Sequence, residues 1–183
     1  MRKMRNTRRT GRTAAAAAAG ALLLAGTAAA TASATPGAAP AGPRTPTCRT
    51  ADLSAKLMQP LAGGMNHAGS TLQLTNTSHR TCALRGYPGL GLEGPGHRAL
   101  PTRTEWGPTW YADTPAVRTL ILPPGRRAQS VLSWTHTDSA DTAAYLEITP
   151  PAATTHLTVP FNQRVDGGVL QVTALSIDVP LRG

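Results

Sequence analysis

The sequence lacks the short motifs that mark common hydrolytic and metalloenzyme sites. It contains no Gly-x-Ser-x-Gly, His-Glu-x-x-His or Ser-x-x-Lys pattern, and its five histidines are dispersed singly. Serine, histidine and aspartate are all present, but their presence alone does not bring them together in a catalytic triad. We therefore expect a protein that is not an enzyme, with no catalytic residues, no bound metal and no cofactor.

Long helical patterns are also missing. No segment has an apolar helical stripe longer than about two turns, and glycine and proline interrupt the short apolar runs. Short strands with turns every 8 to 12 residues are typical of a sandwich or barrel. The pattern predicts an all-β domain over residues 48–183, an immunoglobulin-like antiparallel sandwich of about eight or nine strands. Residues 51–61 fit a strand or a short helix equally well.

The predicted core consists of apolar residues from these strand-like runs. We expect core contacts from Leu53, Leu72, Leu74, Leu84, Leu120, Val131, Trp134, Leu146 and Ile148.

Cysteine is scarce, with Cys48 and Cys82 the only two. In an oxidising compartment, a disulfide between them is favoured over two free thiols. Closing a loop of roughly 35 residues stabilises a fold by about 3 to 4 kcal/mol in the chain-entropy model. The bridge would also remove the only thiol nucleophiles.

Acidic residues are absent from the first 34 positions, where the segment before Ala14 is strongly basic. An uncharged stretch of mostly alanine follows up to Ala32, and Ala32-Ser33-Ala34 matches a small-x-small cleavage signal. We expect a signal peptide over residues 1–34, cleaved near Ala34, and a secreted, extracellular protein. A retained membrane anchor is the alternative, but alanine and glycine gain little from lipid. The pair Arg8-Arg9 leaves general secretion and twin-arginine export both open.

The signal peptide changes the meaning of the net charge of +9. Six of the 18 basic residues precede Thr35, so twelve basic and nine acidic residues remain, a net charge of +3. These charges are scattered, which argues against nucleic-acid binding. Residues 35–47, rich in proline and alanine, are expected to form an extended linker.

Aromatic residues are few, and three of the seven lie close together as Trp106, Trp110 and Tyr111. Aromatic rings on a loop suggest a recognition surface, although they could instead cap an open end of the sandwich. As a recognition surface, they would contact an extracellular protein or a cell-envelope carbohydrate. The favoured function is a non-catalytic binding or interaction module, and the alternative is a secreted hydrolase or enzyme inhibitor with site residues on loops.

Two local patterns have a functional and a structural interpretation. His136, Asp138 and Asp141 could share a divalent cation, but Asp and Ser in a loop are more often turn residues. Asn76-Thr77-Ser78 matches a glycosylation sequon, yet turn formation is the favoured interpretation.

The order of several segments resembles a known family. These segments are Cys48 to Leu53, Leu72 to Ser78, Cys82 to Gly89, Leu122 to Gly125, and Trp134, and the Cys-x-Leu-x-Gly-Tyr-Pro-Gly run at Cys82 is the most specific. Together they resemble the domain of unknown function 4232 family, typical of secreted and lipid-anchored actinobacterial proteins. The resemblance implies export and an all-β domain but carries over no catalytic residues.

This chain departs from the family pattern in one respect. Many members have a second cysteine pair in the later half, where this chain has Ala143-Ala144 and Gly167-Gly168. The resemblance therefore supports only the first bridge, between Cys48 and Cys82.

Overall fold

The computed structural model describes residues 44–137 and 140–182. The predicted signal peptide and residues 35–43 of the predicted linker lie outside the described residues. Within the described part, the regular structure consists of strands and three short 3-10 helices, Thr50–Asp52, Pro95–His97 and Asp166–Gly168. The prediction of an all-β fold is confirmed.

The described residues form eleven strands. They are β1 Leu53–Pro60, β2 His67–Asn76, β3 Cys82–Leu84, β4 Gly89–Glu93, β5 Ala99–Leu100, β6 Arg103–Trp106, β7 Leu120–Leu122, β8 Arg127–Thr135, β9 Thr142–Thr149, β10 Leu157–Arg164 and β11 Val169–Val172. This exceeds the expected eight or nine because several strands are only two to four residues long.

Two local outcomes show how pairing selects the strands. β6 has a polar sequence without apolar alternation and becomes a strand by pairing in parallel with β11. The ambiguous segment 51–61 begins with one 3-10 turn and continues as β1, which pairs antiparallel with β2 from Leu53↔Asn76 onward. Cross-strand hydrogen bonds thus resolve the choice between strand and helix in favour of the strand.

The strands form three sheets. The five-stranded sheet has the order β1-β2-β8-β11-β6, the four-stranded sheet has the order β10-β9-β4-β5, and β3 pairs with β7. Among the strands named above, all pairings are antiparallel except that of β11 with β6. β1 and β10 therefore each lie at an edge of their sheet.

One apolar cluster joins residues of both larger sheets and forms the main core. Trp134 of β8 and Phe161 of β10 meet in it edge to face, with ring centroids 4.9 Å apart. Eight of the nine predicted core residues are buried, and the ninth, Leu120, is partly buried against the same cluster. Val131 is buried in a separate small cluster with Ala112 and Val179.

The separate cluster exists because two chain segments cover the second face of the five-stranded sheet. Val131 and Leu132 are adjacent on β8, so their side chains point to opposite faces, and only Leu132 joins the main core. Val131 packs under Ala112 from the segment 107–119 and under Val179 from the C-terminal segment 173–182. The long connection after β6 is thereby placed against the sheet.

The predicted disulfide is present. Cys48 and Cys82 are bonded, with their Cα atoms 4.8 Å apart. The segment before β1 runs beside β3, since the Cys48 amide donates to the Ala83 carbonyl at 2.9 Å and the Ala83 amide donates to the Pro46 carbonyl at 2.8 Å. None of the described residues belongs to a helix long and apolar enough to cross a membrane.

Candidate functional site

The segment 107–119 carries the predicted aromatic residues and is held by its own polar groups. The Thr109 hydroxyl accepts hydrogen bonds from the amides of Tyr111 at 3.3 Å and Ala112 at 3.1 Å. The Thr109 amide donates to the Ala112 carbonyl at 2.9 Å, which closes a tight turn. Thr109 and Ala112 are buried, so the rings beside them project from an anchored turn.

Trp110 stacks on His67, the first residue of β2. The ring centroids are 3.9 Å apart and the planes differ by 7°. The Trp110 amide donates to the Ser133 hydroxyl at 3.3 Å, which fixes the backbone of the turn over β8. The Trp110 side chain nevertheless keeps 47% of its surface exposed. The result is a flat aromatic pair at the protein surface.

Tyr111 supports this pair. Its hydroxyl donates to the His67 carbonyl at 3.1 Å, and its ring lies over Gly69, where a Cβ atom would sit only 2.5 Å from Cε2 of the tyrosine. Burial raises the pKa of the Tyr111 hydroxyl. Tyr111 is therefore half-buried in packing contacts, whereas Trp110 offers the accessible ring.

Trp106 forms a second stack, at the end of β6. It lies on Tyr87 with ring centroids 5.7 Å apart and planes 16° apart, and 65% of its surface is exposed. The Tyr87 hydroxyl shares a hydrogen bond with the Thr114 hydroxyl at 3.2 Å, and Thr114 accepts from the Ala174 amide at 3.0 Å. The exposed ring thus rests on an anchored partner.

The three predicted rings are distributed over these two stacks. Trp110 and Tyr111 surround His67, and Trp106 lies on Tyr87; among the described residues no ring contact joins Trp106 to Trp110. Sequence reasoning missed His67 and Tyr87. The only available signal was the scarcity of tyrosine and histidine, because no local pattern relates either residue to its tryptophan.

Charged groups border the Trp110 stack. The Arg182 guanidinium donates to the carbonyls of Thr109 at 2.6 Å and Trp110 at 3.3 Å, and it forms an ion pair with Asp113. The backbone of the turn that carries Trp110 is therefore contacted by a cation that is itself paired with an anion, and both groups can bond hydroxyls and amides.

A second group of titratable residues lies on the four-stranded sheet. The Glu93 carboxylate contacts Nδ1 of His97 at 2.7 Å, and the Glu147 carboxylate contacts Nε2 of His156 at 3.2 Å. Each carboxyl group also shifts the pKa of the other. Gly91, opposite Glu147, leaves the space, since a Cβ there would meet Glu147 Oε2 at 2.6 Å.

The pKa values of the two carboxyl groups are shifted in opposite directions. The hydrogen bond with His97 lowers the pKa of Glu93, whereas burial, followed by the neighbouring Glu93, raises the pKa of Glu147. The pair can hold one proton between them, because two adjacent carboxylates resist ionising together.

Of the three candidate metal ligands, His136 and Asp141 belong to the described residues and Asp138 does not. Within the parts of the chain that are described, no three His, Cys, Asp or Glu side chains meet in a group that could hold a metal ion.

Asn76, the sequon residue, is fully buried and serves as a turn residue. Its amide donates to the carbonyls of Arg80 at 2.7 Å and Leu122 at 2.8 Å, and its oxygen accepts from the Ser78 amide at 3.0 Å. These contacts favour turn formation over glycosylation.

The model of the family described as Domain of unknown function (DUF4232) matches residues 48–176. No curated protein and no solved structure matches the chain.

Proposed function

The chain belongs to the family described as Domain of unknown function (DUF4232), and from this premise we propose that it is an exported, non-catalytic binding module that recognises a cell-envelope carbohydrate through Trp106 and Trp110. The family description contains no reaction or ligand, so the proposal rests on the surface of this chain. The observation that carries it is the exposure of two indole rings, each stacked on an anchored aromatic partner.

The arrangement suits a sugar for a chemical reason. The C–H face of a sugar ring packs on a flat aromatic ring, while its hydroxyls bond to neighbouring charged and polar groups. Arg182, which contacts the Trp110 carbonyl and pairs with Asp113, supplies such a group at the turn that carries this ring. A stable protein interface buries about 800 Å² of surface on each partner. The two separate stacks with polar surroundings favour the sugar, and a secreted protein partner is the competing outcome of the test.

We also propose an immunoglobulin-like sandwich for the two larger sheets. Its support is the shared apolar cluster between a five-stranded and a four-stranded sheet in which nearly all pairs are antiparallel. A rigid sandwich of this kind would hold the two tryptophans at a constant separation.

Export by a cleaved signal peptide is part of the same proposal. Its support is the basic and then alanine-rich sequence up to Ala34 together with the disulfide, which is typical of oxidising compartments. A carbohydrate ligand in the envelope is compatible with that location.

A hydrolase is less well supported. Its best candidate group is the pair of Glu93 and Glu147, which lie on neighbouring strands and shift each other's pKa. Glycosidases hold their two carboxyl groups about 5 to 9 Å apart so that the scissile bond fits between them. In this chain each carboxylate instead contacts a histidine, Glu93 with His97 and Glu147 with His156.

The test compares the mature domain with the Trp106→Ala, Trp110→Ala and double variants on immobilised envelope polysaccharide. Each ring is expected to contribute about 1 to 2 kcal/mol, so the double variant should lose at least tenfold in affinity. Met65→Ala is the matched control, because Met65 is 84% exposed and apolar but has no ring. We expect it to bind like the unmodified domain.

Two results would contradict the proposal. If the double variant is retained on the polysaccharide as well as the unmodified domain, the rings are not the recognition surface. If the domain binds secreted proteins and not polysaccharide, its ligand is a protein and not a carbohydrate. Melting temperature separates recognition from capping. A drop of more than about 5 °C in the double variant would show that the rings hold the fold together.

A further inference from the structure

Arginines from distant parts of the chain meet at one end of the domain. Asn76, the last residue of β2, joins two of them, since its side-chain amide donates to the Arg80 carbonyl at 2.7 Å and its backbone amide donates to the Arg126 carbonyl at 2.9 Å. Arg127 lies opposite Thr75 in the pairing of β8 with β2. Because all three arginines are exposed, this end of the domain presents several guanidinium groups to solvent.

Arg49 and Arg80 share one carboxylate at this end. Both guanidiniums contact the nearly buried Asp52, at 2.9 and 3.3 Å, and their side chains remain 69% and 60% exposed. These three side chains together leave one positive charge in excess. The hydroxyl side chains that line the same cleft as these residues are Thr47, Ser78 and Thr81.

Arg126 and Arg127 have no such carboxylate. Among the described residues, neither belongs to an ion pair. They line a second cleft, of about 190 Å³, together with Gly125 and Ile177. Asp178 follows Ile177 in the chain, so we count its charge with this end.

The positive charge of the mature chain is concentrated at this end, which we call the arginine end and define as Arg44, Arg49, Arg80, Arg126 and Arg127. Arg44 is included because it shortly precedes Pro46, which lines the cleft of Arg49 and Arg80. With Asp52 and Asp178, five basic and two acidic residues give this end a net charge of +3. The mature chain as a whole also carries +3, so its remaining basic and acidic residues balance. A positive potential at one end attracts polyanions.

The arginine end lies away from the Trp110 stack. Trp110 stacks on His67, the first residue of β2, whereas Asn76 is the last. β2 spans ten residues. A strand rises about 3.3 Å per residue, so the two ends of β2 lie roughly 30 Å apart. The arginine end is therefore a second surface, separate from the one at Trp110.

We propose that the arginine end binds a linear polysaccharide that carries a phosphate or carboxylate group in its repeat. Guanidinium groups bond either anion through paired N–H donors, and the hydroxyl side chains beside Arg49 and Arg80 match the hydroxyls of a sugar. A repeating anion contacts several arginines at once, which a single small anion does not. This inference shares the proposed export but not the proposed role of the tryptophans.

A nucleic acid suits this end less well. Single-stranded nucleic acids stack their bases on aromatic side chains. The segments 44–54, 75–82 and 122–128, which build most of the arginine end, contain no phenylalanine, tyrosine or tryptophan. Envelope polysaccharides are also the polymers that an exported domain meets. DNA and anionic lipid are therefore the competing outcomes of the test.

The test uses two pairs of polymers that differ in charge. Polygalacturonate and its methyl ester differ in the carboxylate, and phosphomannan and dephosphorylated mannan differ in the phosphate. Each is titrated calorimetrically into the mature domain at about 50 mM and about 500 mM sodium chloride. We expect saturable binding of at least one anionic polymer at low salt, roughly tenfold weaker binding at high salt, and no binding of the neutral polymers. The polymer that binds identifies the anion.

The variant Arg126→Gln with Arg127→Gln removes two exposed charges and keeps the backbone bond to Asn76. Its affinity for the anionic polymer should fall roughly tenfold at low salt, with an unchanged melting temperature. Arg98→Gln with Arg103→Gln is the matched control, because it removes the same charge from exposed positions outside the arginine end. We expect it to bind like the unmodified domain.

The tryptophan variants keep this proposal distinct from the carbohydrate site at the rings. Trp106→Ala with Trp110→Ala should bind the anionic polymer as the unmodified domain does. Loss of this binding in that variant would place the anion site at the rings and overturn the proposal.

Three further results would overturn it. The first is absence of saturable binding of both anionic polymers at low salt. The second is an equal loss of affinity in the control variant, which would show an effect of net charge alone. The third is equal or tighter binding of a DNA duplex or of vesicles that contain phosphatidylglycerol, which would assign this end to another class of partner.

Discussion

Glu93 and Glu147 show how neighbours decide the charge of a side chain. They lie on the adjacent strands β4 and β9, each contacts a histidine, and each shifts the pKa of the other. The hydrogen bond with His97 favours the ionised form of Glu93 and outweighs the opposing effect of its burial. Glu147 is partly buried beside an existing carboxylate, which favours its protonated form. The pair therefore makes stability depend on pH.

We expect Glu147→Gln to raise the melting temperature at pH 7 by on the order of 2 °C. The folded-state pKa of Glu147 is raised, so its stabilising contribution is complete below its unfolded pKa and is lost as pH rises through the folded value. A neutral amide keeps a hydrogen-bonding group without that loss. The gain should shrink as pH falls, because protonation of Glu147 removes the cost of ionising it in the folded state. Thermal unfolding from pH 4 to 8 measures it.

Glu93→Gln is the matched control of opposite sign. The folded-state pKa of Glu93 is lowered, first by the His97 hydrogen bond, so its contribution is present above its unfolded pKa and is lost as pH falls through the folded value. This variant should melt lower than the unmodified domain at pH 7. The same direction of change in both variants at that pH would contradict the assignment.

At the scale of elements, the disulfide joins the start of the domain to β3. Cys48 lies just before the first 3-10 turn, and β3 is a three-residue strand whose pairing partner among the named strands is β7. The segment from Pro46 to Cys48 runs beside β3 through two backbone hydrogen bonds. Such a short element gains little from its own contacts, so the covalent link is a large part of what holds it.

We expect the Cys48→Ser, Cys82→Ser double variant to lose about 3 to 4 kcal/mol of unfolding free energy. The bridge spans a sequence separation of 34 residues, and opening it restores the entropy of the unfolded chain. Urea unfolding at equilibrium measures the loss, and reduction of the unmodified domain should reproduce it. An unchanged urea midpoint in the double variant would show that the β3 region does not depend on the bridge.

The strands also show which elements could be predicted from the sequence. β2 was predicted because Leu72 and Leu74 alternate with polar residues, and both are fully buried. β6 has no such alternation. Its residues Arg103 and Glu105 are charged and form an ion pair, and it is a strand because it pairs with β11. A strand that depends on its neighbour rather than on its own apolar face leaves no period-two pattern.

At the scale of the whole molecule, much of the positive charge lies in the segment that we propose to be the signal peptide. Six basic residues precede Thr35, and the remainder carries a net charge of +3. We expect protein recovered from the culture medium to begin near Thr35, because the Ala32-Ser33-Ala34 signal ends there. Intact-mass measurement and N-terminal sequencing provide the check.

A matched variant makes the export prediction specific. Ala34→Pro should block cleavage at this position, so the medium should lose the processed form and cells should accumulate the precursor. Recovery of a mature chain with a different N-terminus from the unmodified gene would contradict the cleavage position. Recovery only of the precursor in the membrane fraction would favour the retained anchor.

The sequence alone was sufficient for properties that depend on neighbouring residues. Alternating apolar residues, glycine and proline turns, and the Asn76 turn act over a few positions, so the all-β class, most of the core and the burial of Trp134 were predictable. The disulfide was predictable because the chain has only two cysteines. Only the tertiary structure decided that Trp110 stacks on His67, that Trp106 stacks on Tyr87, and that arginines from distant segments meet around Asn76. These contacts join residues far apart in the chain, and they depend on strand order, register and the path of the segment 107–119, none of which leaves a local pattern.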